Sequence, residues 1–425
     1  MSDKELQGVV SDIAFGGYGV IKHEGMVVFV PYTMMNEKIS FIITQQKKRF
    51  AYGKLLQILS PHPERVIPRC PYFTKCGGCQ LQHMDYGSQI SHKKDFAKTL
   101  LKKIGNIDCD EIDIVGSQNQ YGYRRHIKLH LFVSNGQYQM GYYQTDNKTL
   151  IAIDQCPIFS DQSLITCAKE IVQKIKPINT DQKASLLIIQ GLNGPYFVFY
   201  FEKEVPENCS NIFKDYQKIC SILLRSKNIE LSFGDTNGKL LCCDESYNFS
   251  LKGFVQNNAE QSQNIYKEIV AKCLMMQVKQ VLDLYCGIGI TSIMLAKENI
   301  KTWGIEENID AISCAKENAK IHKVNCTFIA GDAAKASIKL IKTIKFDGVL
   351  VNPPRCGLSD EMVQSLIKML PSVLIYVSCH PATMARDQKI LKEAGYRIQK
   401  MSVYDMFPQT SHLEVMITLK RSNPV

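Results

Sequence analysis

The chain has 425 residues, 45% hydrophobic and 22% charged, with a formal net charge of +10. Such a length carries roughly two to four domains, each with its own core, and the positive excess suits a polyanionic partner without selecting one. No run of about 18 apolar residues is present to span a bilayer, and the opening MSDKELQGVV lacks a charged-then-apolar leader. The expectation is a cytoplasmic protein whose sixteen cysteines are reduced, metal-bound or catalytic.

In chain order, residues 5–60 read as short alternating strands separated by Gly16-Gly17, Gly19 and Gly25, which predicts a small β-barrel. Lys47, Lys48 and Arg49 beside Phe50 and Tyr52 place cations next to aromatics, as nucleic-acid surfaces do; a solvated strand end has the same pattern. The Pro-rich SPHPERVIPRCP closes this unit near residue 60. Residues 61–255 combine a cysteine group, one basic helix over 88–105, and strands at 124–133 and 185–201, an α+β pattern. From 256 to 425 strand and helix alternate regularly, which predicts a doubly wound, mainly parallel sheet. The fold class is therefore multidomain α/β, in three units: 1–60, 61–255 and 256–425.

Five motifs carry chemistry. DLYCGIG, at 283–289, follows an apolar strand and opens a helix, where Gly287 and Gly289 let backbone approach a ligand. A tight strand–helix turn would explain two glycines equally well. Glu306 and Asp332 fall at the ends of the next two strands, and the three together predict a nucleoside cofactor, with Glu306 positioned for ribose hydroxyls. Without a third glycine for a pyrophosphate, the pattern is similar to S-adenosylmethionine sites rather than dinucleotide ones. Asn352-Pro353-Pro354-Arg355 stiffens the next strand end and shapes a pocket for a flat base, or makes a simple turn.

Cys379, in SCHP, sits at the following strand end, where the turn and helix start supply N–H groups that favour a thiolate. Asp405, His412 and Glu414, in DMFPQTSHLE, bring candidate bases near the last strand, although a surface hairpin would look alike. Cys70, Cys76 and Cys79 surround a Gly-Gly kink and need a fourth ligand. Cys156, which shares the Cys-Pro pairing of Cys70, is the choice, and spacing leaves zinc and iron–sulfur both open.

With these residues the chain resembles the RNA (uracil-5-)-methyltransferase family, in particular its bacterial 23S rRNA type, over nearly its whole length. The resemblance implies that the N-terminal strands form a TRAM domain, an OB-like RNA-binding barrel. It implies that Cys70, Cys76, Cys79 and Cys156 hold a [4Fe–4S] cluster in the central domain, and that the C-terminal domain is a Rossmann-like class I methyltransferase. FVQNN, at 254–258, matches the family's F-x-Q-x-N motif, which assigns Gln256 to S-adenosylmethionine. Tyr285, Glu306 and Asn352 fall on its other cofactor positions, beside Gly287, Gly289 and Asp332. Cys379 falls on the nucleophile and Glu414 on the base. Three positions depart from the pattern: Asn352 stands where many members have Asp, His380 replaces an Asn, and Ile290 replaces a residue that is polar in some members.

The implied reaction is methylation of C5 of a uridine in 23S rRNA through a Cys379–C6 adduct. A paired base is out of reach inside a helix, so the target is single-stranded or flipped out. The barrel, the basic helix and Tyr121, Tyr123, Arg124 and Arg125 are expected to hold RNA, with Tyr121 to Arg125 equally readable as a half-buried strand. The cluster is read as structural, and no membrane or obligate protein partner is inferred. The alternatives are a tRNA uridine-5 methyltransferase, which the barrel and cluster weigh against because tRNA members usually lack both, an RNA cytosine-5 enzyme, and a catalytically silent RNA-binding assembly factor.

Overall fold

The computed structural model describes residues 4–106, 112–146, 148–180 and 182–421. Three main sheets follow one another along the chain.

Six strands between Leu6 and Ser60 form the first sheet. Inward residues alternate along Tyr18–His23, where Gly19 and Ile21 are buried and Lys22 is exposed, as a half-buried strand requires. Val10, Ile21, Val28, Val30, Ile39, Phe41 and Ala51 fill its centre. The first strand touches the third, and Ser11 N donates to Val20 O at 2.8 Å, so the sheet curls on itself.

The second sheet has seven strands in the order Leu150–Ala152, Gln137–Tyr143, His126–Ser134, Ala184–Gly191, Gly194–Phe201, Ser221–Arg225 and Glu230–Phe233. Leu186, Ile188, Phe197 and Phe199 pack with Ile165 and Phe213 from helices Gln162–Lys174 and Cys209–Tyr216. A hairpin of Asn237–Cys242 with Glu245–Ser250 leads out of it.

The third sheet has eight strands. Their order is Cys326–Ala330, Lys301–Glu306, Gln280–Leu284, Gly348–Val351, Val373–Ser378, Glu414–Arg421, Tyr396–Tyr404 and Ile112–Val115. The first five are mutually parallel, and the C-terminal hairpin adds an antiparallel pair. Val373–Ser378 is buried throughout, because helices on both faces remove the alternation seen in half-exposed strands.

Part of the 61–255 stretch lies with this third sheet. Helix Tyr86–Gly105 packs on helix Pro381–Glu393, and Ile112–Val115 pairs in parallel with Tyr396–Tyr404. Asp85 caps the helix by accepting from Ser88 N at 2.6 Å, and its buried stripe is Gln89, Lys93, Ala97, Leu101 and Gly105. Lys93 therefore faces the core and not an RNA backbone: its Nζ lies 2.5 Å from Asp405 Oδ1, with both side chains buried. Lys94, Lys98, Lys102 and Lys103 keep the outer face basic. Among the described residues no helix is long and apolar enough to cross a membrane.

Candidate active site

The parallel order of the third sheet brings the ends of five strands to one edge. Along that edge lie Asp332, Glu306, Tyr285, Asn352 and Cys379, each just past or at the last residue of its strand. This is where open α/β sheets bind ligands.

At the Gly-rich turn, Tyr285 has φ +65°, Gly287 +55° and Gly289 +82°. The turn is held by Tyr285 N and Cys286 N donating to Ile305 O at 2.8 and 3.1 Å. A side chain at Gly289 would sit 2.7 Å from the Phe328 ring, whereas one at Gly287 would meet nothing within 4 Å. The Gly289 side of the turn is thus closed by core and the Gly287 side is open. Glu306 ties two strand ends together, accepting from Gly287 N at 3.2 Å and from Asn308 N at 3.0 Å. Asp332 is exposed and caps helix Ala333–Leu340, accepting from Lys335 N at 2.8 Å. Beneath the turn, burial raises the Asp283 carboxyl to about 7, and Ser292 Oγ donates to it at 2.7 Å.

Gln256 is half-buried and makes no side-chain hydrogen bond among the described residues, which leaves its amide for a ligand. The asparagine that ends the same motif is structural. Asn258 caps helix Ala259–Met275 and donates from Nδ2 to Met406 O at 3.3 Å.

Cys379 and Glu414 meet through strand register. Ser378 pairs with Val415 across the antiparallel step, so the next residues, Cys379 leaving one strand and Glu414 opening the other, fall opposite each other on the same face. Glu414 is 3% exposed. Burial raises its carboxyl to about 8, opposed by Arg355. Burial and the neighbouring Glu414 raise the half-buried Cys379 thiol, and Arg355, charged and hydrogen-bonded to it, works the other way. Arg355, expected only as part of a pocket-shaping or turn tetrad, is in the fold a cation that acts on both the thiol and the carboxyl. His412 is held neutral, lowered to about 4 by burial and then by Arg355 and Arg124, while Asp405 is engaged with Lys93. Of the three candidate bases, Glu414 is the one beside the thiol.

His380, in the family's Asn position, caps helix Pro381–Glu393 and accepts from Thr383 N at 3.4 Å. Tyr123 and Arg124 differ from their expected RNA-facing role. Tyr123 is 6% exposed and its hydroxyl donates to Pro408 O at 3.0 Å. The Arg124 guanidinium lies 5.7 Å from the Phe407 ring centroid.

Cys70, Cys76, Cys79 and Cys156 line one pocket together with Arg124 and Tyr142. Their loops are pinned by Cys70 N donating to Gln82 Oε1 at 3.1 Å and Cys156 N to Gln162 Oε1 at 2.9 Å. Among the described residues, no group of three or more His, Cys, Asp or Glu is placed to hold a metal ion.

The sequence profile of the tRNA (Uracil-5-)-methyltransferase family matches residues 85–422. The chain belongs to that family. As a member it is an S-adenosylmethionine-dependent RNA uracil-5 methyltransferase. It is 38% identical to an uncharacterised RNA methyltransferase of Protochlamydia amoebophila over 98% of both chains. It is 32% identical to the 23S rRNA (uracil(1939)-C(5))-methyltransferase RlmD of Shewanella sediminis, over 94% of this chain and 92% of that one. The crystal structure of Pyrococcus abyssi tRNA (uracil-54, C5)-methyltransferase in complex with S-adenosyl-L-homocysteine superposes with a TM-score of 0.75 at 27% identity. That match covers 97% of this uracil-5 methyltransferase and 99% of the archaeal chain.

Proposed function

We propose that this enzyme forms 5-methyluridine in 23S rRNA, with Cys379 as nucleophile and Glu414 as base. The observation that carries the chemistry is their register-fixed proximity beside Arg355, on the sheet edge that also holds the Gly287–Gly289 turn. Gln256, Tyr285, Gly287, Gly289, Glu306, Asp332 and Asn352 would hold S-adenosylmethionine, and the open side of Gly287 and the uncommitted Gln256 amide fit that role. When bound, that molecule supplies the methyl group. Cys379 adds as thiolate to C6, which moves electron density to C5 so that C5 can accept the methyl group. Glu414 then takes the C5 proton; the C5–H pair forms the C5=C6 bond and the C6–S pair returns to sulfur.

The four cysteines are assigned to a [4Fe–4S] cluster. Their shared pocket supports this, and the choice of iron–sulfur over zinc rests on the resemblance to the family. The half-buried Arg124 lines the same pocket, which fits a structural role. The curled N-terminal sheet is read as a TRAM-type RNA-binding barrel, and the exposed lysines of helix Tyr86–Gly105 as backbone contacts.

The 23S assignment rests on similarity to the Shewanella enzyme across nearly the full chain. A tRNA substrate is the second reading, favoured by the archaeal structure. Its match to 97% of this chain reaches into the N-terminal sheet, so that sheet does not by itself separate the two substrates. Methyl transfer from labelled S-adenosylmethionine to unmodified 23S rRNA and, separately, unmodified tRNA decides between them. Label in 23S rRNA as 5-methyluridine, absent with Cys379→Ala, is the expected result. Label in tRNA alone overturns the substrate, and no Cys379-dependent label in either RNA overturns the chemistry.

A further inference from the structure

The segment that delivers Glu414 to the site, residues 405–413, is not held by its own sheet alone. Its turning point is Gln409, which is 2% exposed and has φ +71°, a left-handed conformation that surrounding contacts must impose on a residue with a side chain. Part of that restraint comes from helix Tyr86–Gly105. Gln89 accepts from Gln409 N at 3.0 Å and donates to Gln409 Oε1 at 3.1 Å.

The rest comes from the two residues that directly follow Cys79. Gln80 N and Leu81 N both donate to Gln409 O, at 3.1 and 3.0 Å. The Gln80 side chain bridges: its Nε2 donates to Gly77 O within the cysteine loop at 2.8 Å, and its Oε1 accepts from Ser411 N at 3.2 Å. On the opposite side, the Gly16-Gly17 turn of the N-terminal sheet leans on the same pair, since a side chain at Gly17 would sit 2.8 Å from Leu81 and 3.3 Å from Gln80. Leu81 also packs with Met34 and Met84. Two residues thus join the cysteine loop, the N-terminal sheet and the segment leading to the base.

We propose that Gln80 is a positioning residue for Glu414, and that through it the cysteine loop sets the step in which the base removes the C5 proton. This rests on the assignment of Cys379 as nucleophile and Glu414 as base. The hydrogen bonds of Gln80 go to Gly77, Gln409 and Ser411 and to none of the assigned cofactor positions, so its loss leaves addition to C6 and methyl uptake in place and slows elimination. The methylated adduct, still bonded from C6 to the Cys379 sulfur, then accumulates because its C5 proton is not taken.

The test uses the full-length protein with substrate RNA and S-adenosylmethionine, scoring RNA–protein adduct that survives denaturing gels. Gln80→Met keeps length but removes the acceptor for Ser411 N, and Gln80→Glu keeps an acceptor oxygen. The expected results for Gln80→Met are adduct several-fold above wild type, a lower kcat, an unchanged KM for S-adenosylmethionine and faster amide exchange in 409–411. The visible absorbance of the cysteine site should match wild type, and Gln80→Glu should restore turnover at least in part. Glu414→Gln is the control and traps adduct at the highest level. Adduct with Glu414→Gln but none above wild type with Gln80→Met overturns the positioning role, as does a Gln80→Glu variant no better than Gln80→Met. No adduct even with Glu414→Gln overturns the assignment of the base itself, and the proposal with it.

Discussion

Cys379 and Glu414 stand opposite each other one residue beyond the Ser378–Val415 pair, although they lie 35 positions apart in sequence. The placement is a consequence of backbone register, so it survives any change of either side chain. Cys379→Ala should remove 5-methyluridine formation below detection while binding of S-adenosylmethionine, measured by calorimetry, stays within about threefold, because single groups outside a contact shift affinity little. Cys356 is an exposed thiol in the adjacent NPPRC turn. Cys356→Ala should keep full activity.

Glu414 must be ionised to accept a proton, and its carboxyl is raised to about 8. The rate of product formation should therefore rise with pH through about 8, and the raised Cys379 thiol extends the rise further before any plateau. Arg355 lowers both the carboxyl and the thiol. Arg355→Ala should move the limb upward by roughly one pH unit or more, whereas Arg355→Lys, which keeps a cation, should move it less. A pH–rate series on the three proteins checks this.

The Lys93–Asp405 pair is fully buried, and its members are further engaged. Tyr86 Oη donates to Asp405 Oδ2 at 2.9 Å, and Lys93 Nζ donates to Phe407 O at 3.0 Å. Lys93→Met leaves the Asp405 carboxylate without its counter-ion, which should cost about 3–5 kcal/mol. Denaturant unfolding measures it. The double variant Lys93→Met with Asp405→Asn should recover part of that loss.

Asp283 and Glu414 also bear on stability. In an unfolded chain both ionise below about 5, but in the fold they ionise near about 7 and about 8. Between these limits the folded state holds protons that the unfolded state releases, so their stabilisation is complete below about pH 5 and is lost as pH rises. His83, His126 and His412, each lowered to about 4 by burial, act in the opposite sense. Comparison with Glu414→Gln isolates the carboxyl: the melting temperature of wild type relative to this variant should fall from pH 5 to pH 8.

Much of the third sheet was legible because its signals are local. Apolar runs end at residues that also cap the next helix, as Asn308 and Asp332 do, and the regular beat puts Glu306, Asp332, Asn352 and Cys379 at strand ends before any contact is known. What was not legible depends on partners far apart in the chain. Lys93 looked like one more cation of a basic helix, and only its i, i+4 register with Gln89 and Ala97 hinted at burial; its partner lies 312 residues on. Gln80 binds a segment 331 residues away. Tyr123 and Arg124 have the composition of an RNA surface, but packing against the Phe407–Pro408 turn claims them. No local pattern announces such pairings.

The bond between Cys379 and C6 is the central step of the proposed chemistry. RNA carrying 5-fluorouridine in place of uridine presents fluorine where the base would remove a proton, so the adduct cannot resolve by elimination. Incubated with wild-type enzyme and S-adenosylmethionine, then digested and sequenced by mass spectrometry, it should yield one modified nucleotide on the peptide containing Cys379. A nucleotide on Cys356 or any other residue, or no covalent product from RNA whose unfluorinated form is methylated, would contradict it.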